Sequence, residues 1–277
     1  MELTRITPEN YVGFQKILPM QIEYQNSEAW GCLIEKRAVG TAVINITEDV
    51  YRILWLWVSP AYRNRGVGSA LLEKLCESVR KKERNILTIT YPAAADWSVV
   101  MGYLLLKFRF TVEISVYPEF CFTRKQLMEA SVISSKEGTV DQNVIPLTEL
   151  SPLQKKELIA EIREKGNYPI TTYDFAEIEE DRSMAFIQEG DIRGVILVGT
   201  RGDKDRLSLD LFYLKKNAGN AALTLLRQTA LRALSHPEGL KEFRFLCTDD
   251  VAVKICTRLM GEQEPTEIEY YHGRYWA

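Results

Sequence analysis

Histidine is almost absent from this 277-residue chain, which holds only His236 and His272. With so few imidazoles, a His-based catalytic triad or a His metal cluster is not expected. The five cysteines, Cys32, Cys76, Cys121, Cys247 and Cys256, are odd in number, widely spaced and never in a CxxC pair. Such usage predicts free thiols in a reducing cytoplasm and no metal site. No apolar run approaches the roughly 20 residues that a membrane helix needs. The opening MELTRITPEN carries no signal-peptide pattern. Cytoplasmic location and no membrane partner are therefore expected. Excess positive charge is lacking too. The net charge of −3 and the pI near 5.7 argue against nucleic acid as a partner. Two phosphate-binding motifs are also missing. No Lys follows Gly68 to complete a Walker loop, and Gly66 and Gly68 alone do not make GxGxxG.

What is present is ordinary in bulk and specific in one place. An apolar share of 46% and a charged share of 26% suit a globular protein with a sizeable core. The length allows two domains as readily as one. Residues 51–81 organise the rest. Tyr51 to Val58 is a dense β-type run, Ser59-Pro60 turns, and a helix over Val67 to Lys81 puts Val67, Leu71, Leu75 and Val79 on one face. Between them stand Arg63, Asn64, Arg65, Gly66, Val67, Gly68 and Ser69. A helix N-terminus leaves N–H groups unpaired and favours negative charge. Glycines admit a phosphate close to the backbone, and arginines add charge-assisted donors. A plain strand–helix connection with two flexible glycines is the alternative.

The stretch resembles the pyrophosphate-binding signature of the GNAT acetyltransferases, V-x-P-x-[YF]-[RQ]-x-x-G-x-[GA]. Val58, Pro60, Tyr62, Arg63, Gly66 and Gly68 carry the match, followed by Leu71-Leu72. The resemblance implies acetyl-CoA as cosubstrate, no metal, and an N-acetyltransferase acting on a small-molecule or peptide amine. It assigns cofactor binding to residues 63–69, with oxyanion donors from backbone N–H at a strand bulge near Trp57 and Val58. It also implies an α/β fold whose mixed, mostly antiparallel sheet splays between its fourth and fifth strands.

The rest of the chain repeats one order of elements. A strand at Leu3–Ile6, a helix after Pro8 and a second helical stretch near Ile22–Glu28 are predicted first. Two strands follow, Trp30–Glu35 and Thr41–Thr47, turning near Gly40. After the central unit come a strand at Ile86–Thr90, a helix over Trp97–Lys107 capped by Asp96, and a strand at Phe110–Val116. Residues 130–143 are polar and read as a linker. Val144–Leu147, a helix after Pro152, a hairpin through Gly190, and strands at Leu207–Tyr213, Phe243–Cys247 and Glu267–Tyr271 then echo the first half. Helices at Asn220–Leu234 and Asp250–Met260 alternate with them, at an offset of roughly 140–157 residues. We expect tandem GNAT-like domains, 1–128 and 144–277, with 129–143 between them. The second copy lacks the Arg and the first glycine, since Leu214 to Gly219 replaces the loop.

The expected catalytic groups are where the match weakens. Positions 53–57 (Ile-Leu-Trp-Leu-Trp) hold no carboxylate, although the family commonly places a Glu base there. The Tyr acid expected four residues before a Gly-Phe pair meets Leu105, because that pair is here Arg109-Phe110. Tyr103 could serve as acid only if the helix is irregular, and is otherwise a half-buried amphipathic ring. Glu23 is a candidate base, though a surface carboxylate is the more usual role. Trp55 and Trp57 face one side, either as core or as a ring wall for the acceptor. A binding module that holds an acyl-CoA without efficient chemistry, and a homodimer, are the remaining alternatives.

Overall fold

The structure, a computed structural model, describes residues 1–18, 22, 24, 27–46, 50–81, 86–130, 133, 141–165, 178–199, 206–215, 221–235, 242–248, 250–260 and 264–277. Its described strands are β1 (Glu2–Arg5), β2 (Ser27–Ile34), β3 (Arg37–Ile46), β4 (Val50–Val58), β5 (Ile86–Pro92), β6 (Thr111–Thr123), β7 (Val144–Pro146), β8 (Met184–Gln188), β9 (Asp191–Gly199), β10 (Arg206–Leu214), β11 (Glu242–Leu246) and β12 (Thr266–Trp276). The helices are α1 (Val67–Arg80), α2 (Ser98–Lys107), α3 (Arg124–Glu129), α4 (Pro152–Lys165), α5 (Ala221–Leu234) and α6 (Asp250–Met260).

The chain divides into two compact units. Of the described residues, those up to 115 and from 269 onward form one, and those within 116–165 and 178–268 form the other. The sequence boundaries at 128 and 144 keep each half continuous, whereas the compact units exchange strands. The last strand, from Glu269 onward, belongs to the first unit, and β6 from Val116 belongs to the second.

In the first unit the strand order is β1-β2-β3-β4-β5-β12, with the 111–115 part of β6 beyond. Strand β12 pairs antiparallel with β5 from Tyr270↔Pro92 to Trp276↔Ile86. One face is covered by α1, which buries Val67, Leu71, Leu72, Leu75, Cys76 and Val79 against Ala42, Ile44, Tyr51, Ile53, Leu87 and Ile89. Spacing of three and four residues puts these side chains on one helical stripe. The other face packs Ile6, Phe14, Leu18 and Ile22 against Ala29 and Val43. Strand β3, buried on both faces, therefore reads as a nearly unbroken apolar run.

In the second unit the order is β6-β11-β10-β9-β8-β7. Strands β10 and β11 are parallel, as β4 and β5 are. The hairpin turns at Glu189-Gly190, both with positive φ, as expected from Gly190. Helix α5 buries Ala222, Leu225, Leu226, Thr229 and Ala233.

Several local expectations are corrected. No α-helix follows Pro8; the segment forms two 3-10 turns, Tyr11–Gly13 and Gln15–Ile17, whose Phe14 ring lies where a Cβ on Gly31 would stand. Of the stretch 22–28, Ser27 and Glu28 are strand, and most of the rest lies outside the described residues. The β2–β3 turn is at Glu35-Lys36, φ 51° and 63°, and Gly40 sits inside β3. A Cβ there would meet Val67 Cγ1 at 2.9 Å and Leu71 Cδ1 at 3.1 Å, so that glycine serves helix approach and makes no turn. Strands β6 and β12 run well beyond the predicted Val116 and Tyr271. Residues 131–132 and 134–140 of the linker lie outside the described residues.

Candidate functional site

The site is built where β4 and β5 part. Their parallel pairing stops after Val50↔Ile86, Tyr51↔Leu87 and Arg52↔Thr88, yet β4 continues to Val58 and β5 to Pro92. At the last rung Thr88 Oγ1 donates to the Tyr51 carbonyl, 3.3 Å. Beyond it the edge of β4 has no β5 partner. This is the expected splay. The expected bulge is present but displaced. It falls at Leu54, between the pairs Val43↔Trp55 and Ile44↔Ile53, not near Trp57 and Val58. A bulge frees backbone groups from the ladder.

From Val58 the chain turns through the 3-10 segment Pro60–Tyr62. Arg63 Nε donates back to the Val58 carbonyl, 3.1 Å, and the Arg65 guanidinium lies over the Tyr62 ring, 5.6 Å from its centre. Asn64 has φ 59° and Gly66 φ 81°. The two left-handed residues turn the chain into α1. Gly66 is the N-cap, with no side-chain cap bond and no acidic residue in the first turn. The first amides of α1, Val67, Gly68 and Ser69, thus meet no carboxylate from their own turn.

The two glycines have different physical reasons. Gly66 needs its positive φ. Gly68 does not: a Cβ there would make only ordinary contacts, 3.7 Å to Val58 Cγ2 and 3.8 Å to Leu104 Cδ2. Packing would tolerate alanine, so the absent side chain fits close approach by a ligand. Val67 is buried and can offer only its amide. The residues present fit a diphosphate: amides, two exposed arginines and no acidic residue in the first helical turn.

Lys107, which the sequence reading did not single out, joins this loop. Its Nζ donates to Ser69 Oγ at 3.3 Å, bringing a cation from the end of α2 to the first turn of α1. Thirty-eight residues separate the two, and no local pattern announces the pairing. Arg109 closes α2 with φ 63°. Its N–H bonds the Leu106 carbonyl at 3.0 Å, and that of Phe110 the Leu105 carbonyl at 3.0 Å. These two bonds are a Schellman closure, so Arg109 stands at the left-handed position where glycine is usual.

The proposed catalytic residues are scattered. Helix α2 is regular; Leu105 is fully buried, while Tyr103 is 76% exposed on the outer face. Glu23 lies outside the described residues. Asp96 is exposed and does not cap α2, whose N-cap is Trp97; Ser98 is buried. Trp55 is held structurally. Its Nε1 donates to the Ile17 carbonyl at 3.2 Å and to Thr41 Oγ1 at 3.1 Å. Trp57 is half-buried on the same face two residues on, and is not among the residues of the two described clusters of this unit.

Burial shapes the remaining groups. It pushes Cys76 up to about 11, raises Cys32, and pushes Tyr91 up to about 12 with help from Tyr271. These thiols stay protonated at neutral pH, which disfavours a cysteine nucleophile. Burial, then the charge of Arg274, lowers His272, whose Nδ1 lies 3.1 Å from Thr90 Oγ1. Among the described residues no group of three or more His, Cys, Asp or Glu could hold a metal. No described helix is long and apolar enough to cross a membrane.

In the second unit the corresponding loop lies largely outside the described residues. Lys215, at its start, is paired with Glu161 at 3.0 Å. A cavity of about 20 Å³ beneath Leu207, Leu209, Leu226 and Phe243 is apolar and has room for no cofactor.

Comparison with known proteins agrees with this architecture. The model of the acetyltransferase (GNAT) family matches residues 2–97. No curated protein matches the chain. Among solved structures, a tandem GNAT protein from the clavulanic acid biosynthesis pathway is 17% identical with a TM-score of 0.52, over 90% of this chain and 82% of its own. A probable N-acyltransferase from Enterococcus faecalis is 12% identical with a TM-score of 0.57, over 99% and 72%. A putative acetyltransferase from Pyrococcus horikoshii is 14% identical with a TM-score of 0.53, over 100% and 89%. At such identities the likeness is one of fold. Residues 2–97 match the model of the acetyltransferase (GNAT) family, and the chain shares the fold of the tandem GNAT protein.

Proposed function

We propose that the chain is an acetyl-CoA-dependent N-acetyltransferase with one cofactor site, at the front of α1 in the first unit. The observation that carries this reading is the uncapped α1 N-terminus behind Gly66-x-Gly68, placed where β4 and β5 part. Acetyl-CoA, when bound, supplies an activated acyl group as a thioester. The residues of the chain do the rest. The amides of 67–69 with Arg63, Arg65 and Lys107 hold the diphosphate. The unpaired edge of β4 past the Leu54 bulge offers N–H donors to the developing oxyanion. Acceptor nitrogen and acyl carbon form the new bond, the C–S bond breaks with its electron pair on sulfur, and the amine gives up one proton.

No carboxylate on β4 takes that proton, so attack draws on the neutral fraction of the amine or on a water relay. A peptide or small-molecule amine of low pKa suits such a site best. The same gap favours a second reading, an acyl-CoA-binding module with little turnover: β4 lacks the base, and buried Leu105 stands where the acid is expected. Free-thiol release from acetyl-CoA, measured with a panel of amines, separates the two. Amine-dependent release supports transfer. Saturable binding with no release from any amine supports the module.

A further inference from the structure

Strand β5 carries a polar pair beside the place where β4 leaves it. Thr90 Oγ1 lies 3.1 Å from His272 Nδ1, and the two residues are partners across β5 and β12. Leu87, Ile89 and Tyr91 of β5 join the core beneath α1, as do Tyr271 and Tyr275 of β12. Side chains alternate along a strand, so Thr90 and His272 face away from α1. Height along the sheet sets this pair opposite the bulge. Leu54 lies two residues beyond Arg52, and Thr90 two beyond Thr88, the last rung that β4 and β5 share. At about 3.3 Å per residue, both stand about 6.6 Å past that rung. Thr90 is on the strand that borders the splay, and His272 is behind it on β12. Among the described residues, the titratable groups sharing this face are Arg52 on β4, Tyr270 and Arg274 on β12, and Glu113 on β6, which holds Arg274 at 3.4 Å. Burial and the charge of Arg274 hold the imidazole below its ordinary pKa, with Glu113 opposing, so the ring is neutral at pH 7. Its Nε2 is enclosed by protein. The ring therefore exchanges a proton with the splay through Nδ1 and the Thr90 hydroxyl.

We propose that Thr90 and His272 form a proton relay for the acceptor amine, with Thr90 touching the nitrogen and His272 acting through it. The inference rests on the acetyl-transfer reading. As the amine nitrogen bonds to the acyl carbon, its proton passes to Thr90 Oγ1, and the Thr90 hydroxyl proton passes to His272 Nδ1. The C–S bond breaks with its electron pair on sulfur. The imidazolium then returns its proton through Thr90 to the thiolate or to solvent. This pair supplies the base that β4 lacks. The step requires Nδ1 to be unprotonated at rest, with the ring N–H on Nε2.

The test has two parts on the full chain. Nitrogen-15 NMR of the free protein at pH 7, with His272 assigned by its loss in His272→Asn, should show Nδ1 unprotonated. A ring protonated at Nδ1 overturns the relay whatever the turnover. Free-thiol release from acetyl-CoA is then followed with glycinamide, benzylamine and aniline as acceptors. Thr90→Val and His272→Asn should each lower kcat about 100-fold, the lower end of general acid–base effects, with KM for acetyl-CoA changed less than about two-fold. Asparagine keeps an acceptor for the Thr90 hydroxyl but takes no proton, so a merely structural hydrogen bond would leave kcat unchanged. Thr90→Ser should keep most of the wild-type kcat. The wild-type kcat profile should carry a limb below about pH 6.5 that His272→Asn lacks. A wild type that turns over, with Thr90→Val and His272→Asn both as fast, overturns the relay and leaves acetyl transfer standing. So does an equal loss in Thr90→Ser and Thr90→Val. A wild type that binds acetyl-CoA and releases no thiol with any of the amines overturns the acetyl-transfer reading, and the relay with it.

Discussion

Replacing Gly68 by alanine separates packing from ligand approach. The added methyl meets Val58 and Leu104 at 3.7 and 3.8 Å, contacts that cost nothing. Glycine within a helix is destabilising by roughly 0.5–1 kcal/mol relative to alanine. The free protein should therefore melt at the same temperature or slightly higher. A phosphate hydrogen-bonded to the 67–69 amides would be pushed outward by that methyl. Loss of one charge-assisted hydrogen bond, about 1.5–3 kcal/mol, weakens acetyl-CoA roughly 10- to 150-fold. Thermal melting without ligand and calorimetric titration with acetyl-CoA read the two effects on one variant. Unchanged affinity alongside unchanged stability would refute the phosphate site. Reduced stability would refute the packing argument that precedes it.

Lys107→Met should weaken acetyl-CoA about five-fold, the scale of one exposed ionic contact near 1 kcal/mol, and the difference from wild type should shrink in high salt. Arg109→Gly relieves a left-handed residue and should stabilise the chain by about 0.5–1 kcal/mol, seen as a rise in Tm of a few degrees. His272 is held below its ordinary pKa by burial, so the unfolded chain binds its proton first as pH falls. The stability it protects is complete above about pH 6.5 and declines as pH drops below that value. Wild type should therefore lose more Tm between pH 7.5 and 5.5 than His272→Asn does; equal losses would remove His272 as the cause.

The central loop was legible because its cause is local. Strand, proline, two glycines and an amphipathic helix lie within 31 consecutive residues, 51–81, and each has a backbone or charge reason readable in place. The same locality misled elsewhere. Gly40 suggested a turn, but the turn uses Glu35-Lys36, and Gly40 is glycine because α1 crosses β3 there. The apolar segment after Pro8 has helix-like spacing, yet it serves the sheet with Phe14 seated on Gly31. Strand exchange left no mark in the sequence. Nothing within β12 says that its partner is β5, some 180 residues earlier, as the Thr90–His272 pair shows. Lys107 escaped for the same reason, since its role is set by packing of α2 against α1. The Leu54 bulge depends on register with β3, which alternation alone does not fix.

The central claim is that the free amides at the front of α1 grip the diphosphate of acetyl-CoA. The most direct measurement is a titration of the full, isotopically labelled chain with acetyl-CoA, following the backbone N–H resonances of Gly66, Val67, Gly68 and Ser69. The account predicts that these resonances shift together and saturate at one equivalent per chain. Resonances that stay in place while binding saturates elsewhere would contradict it.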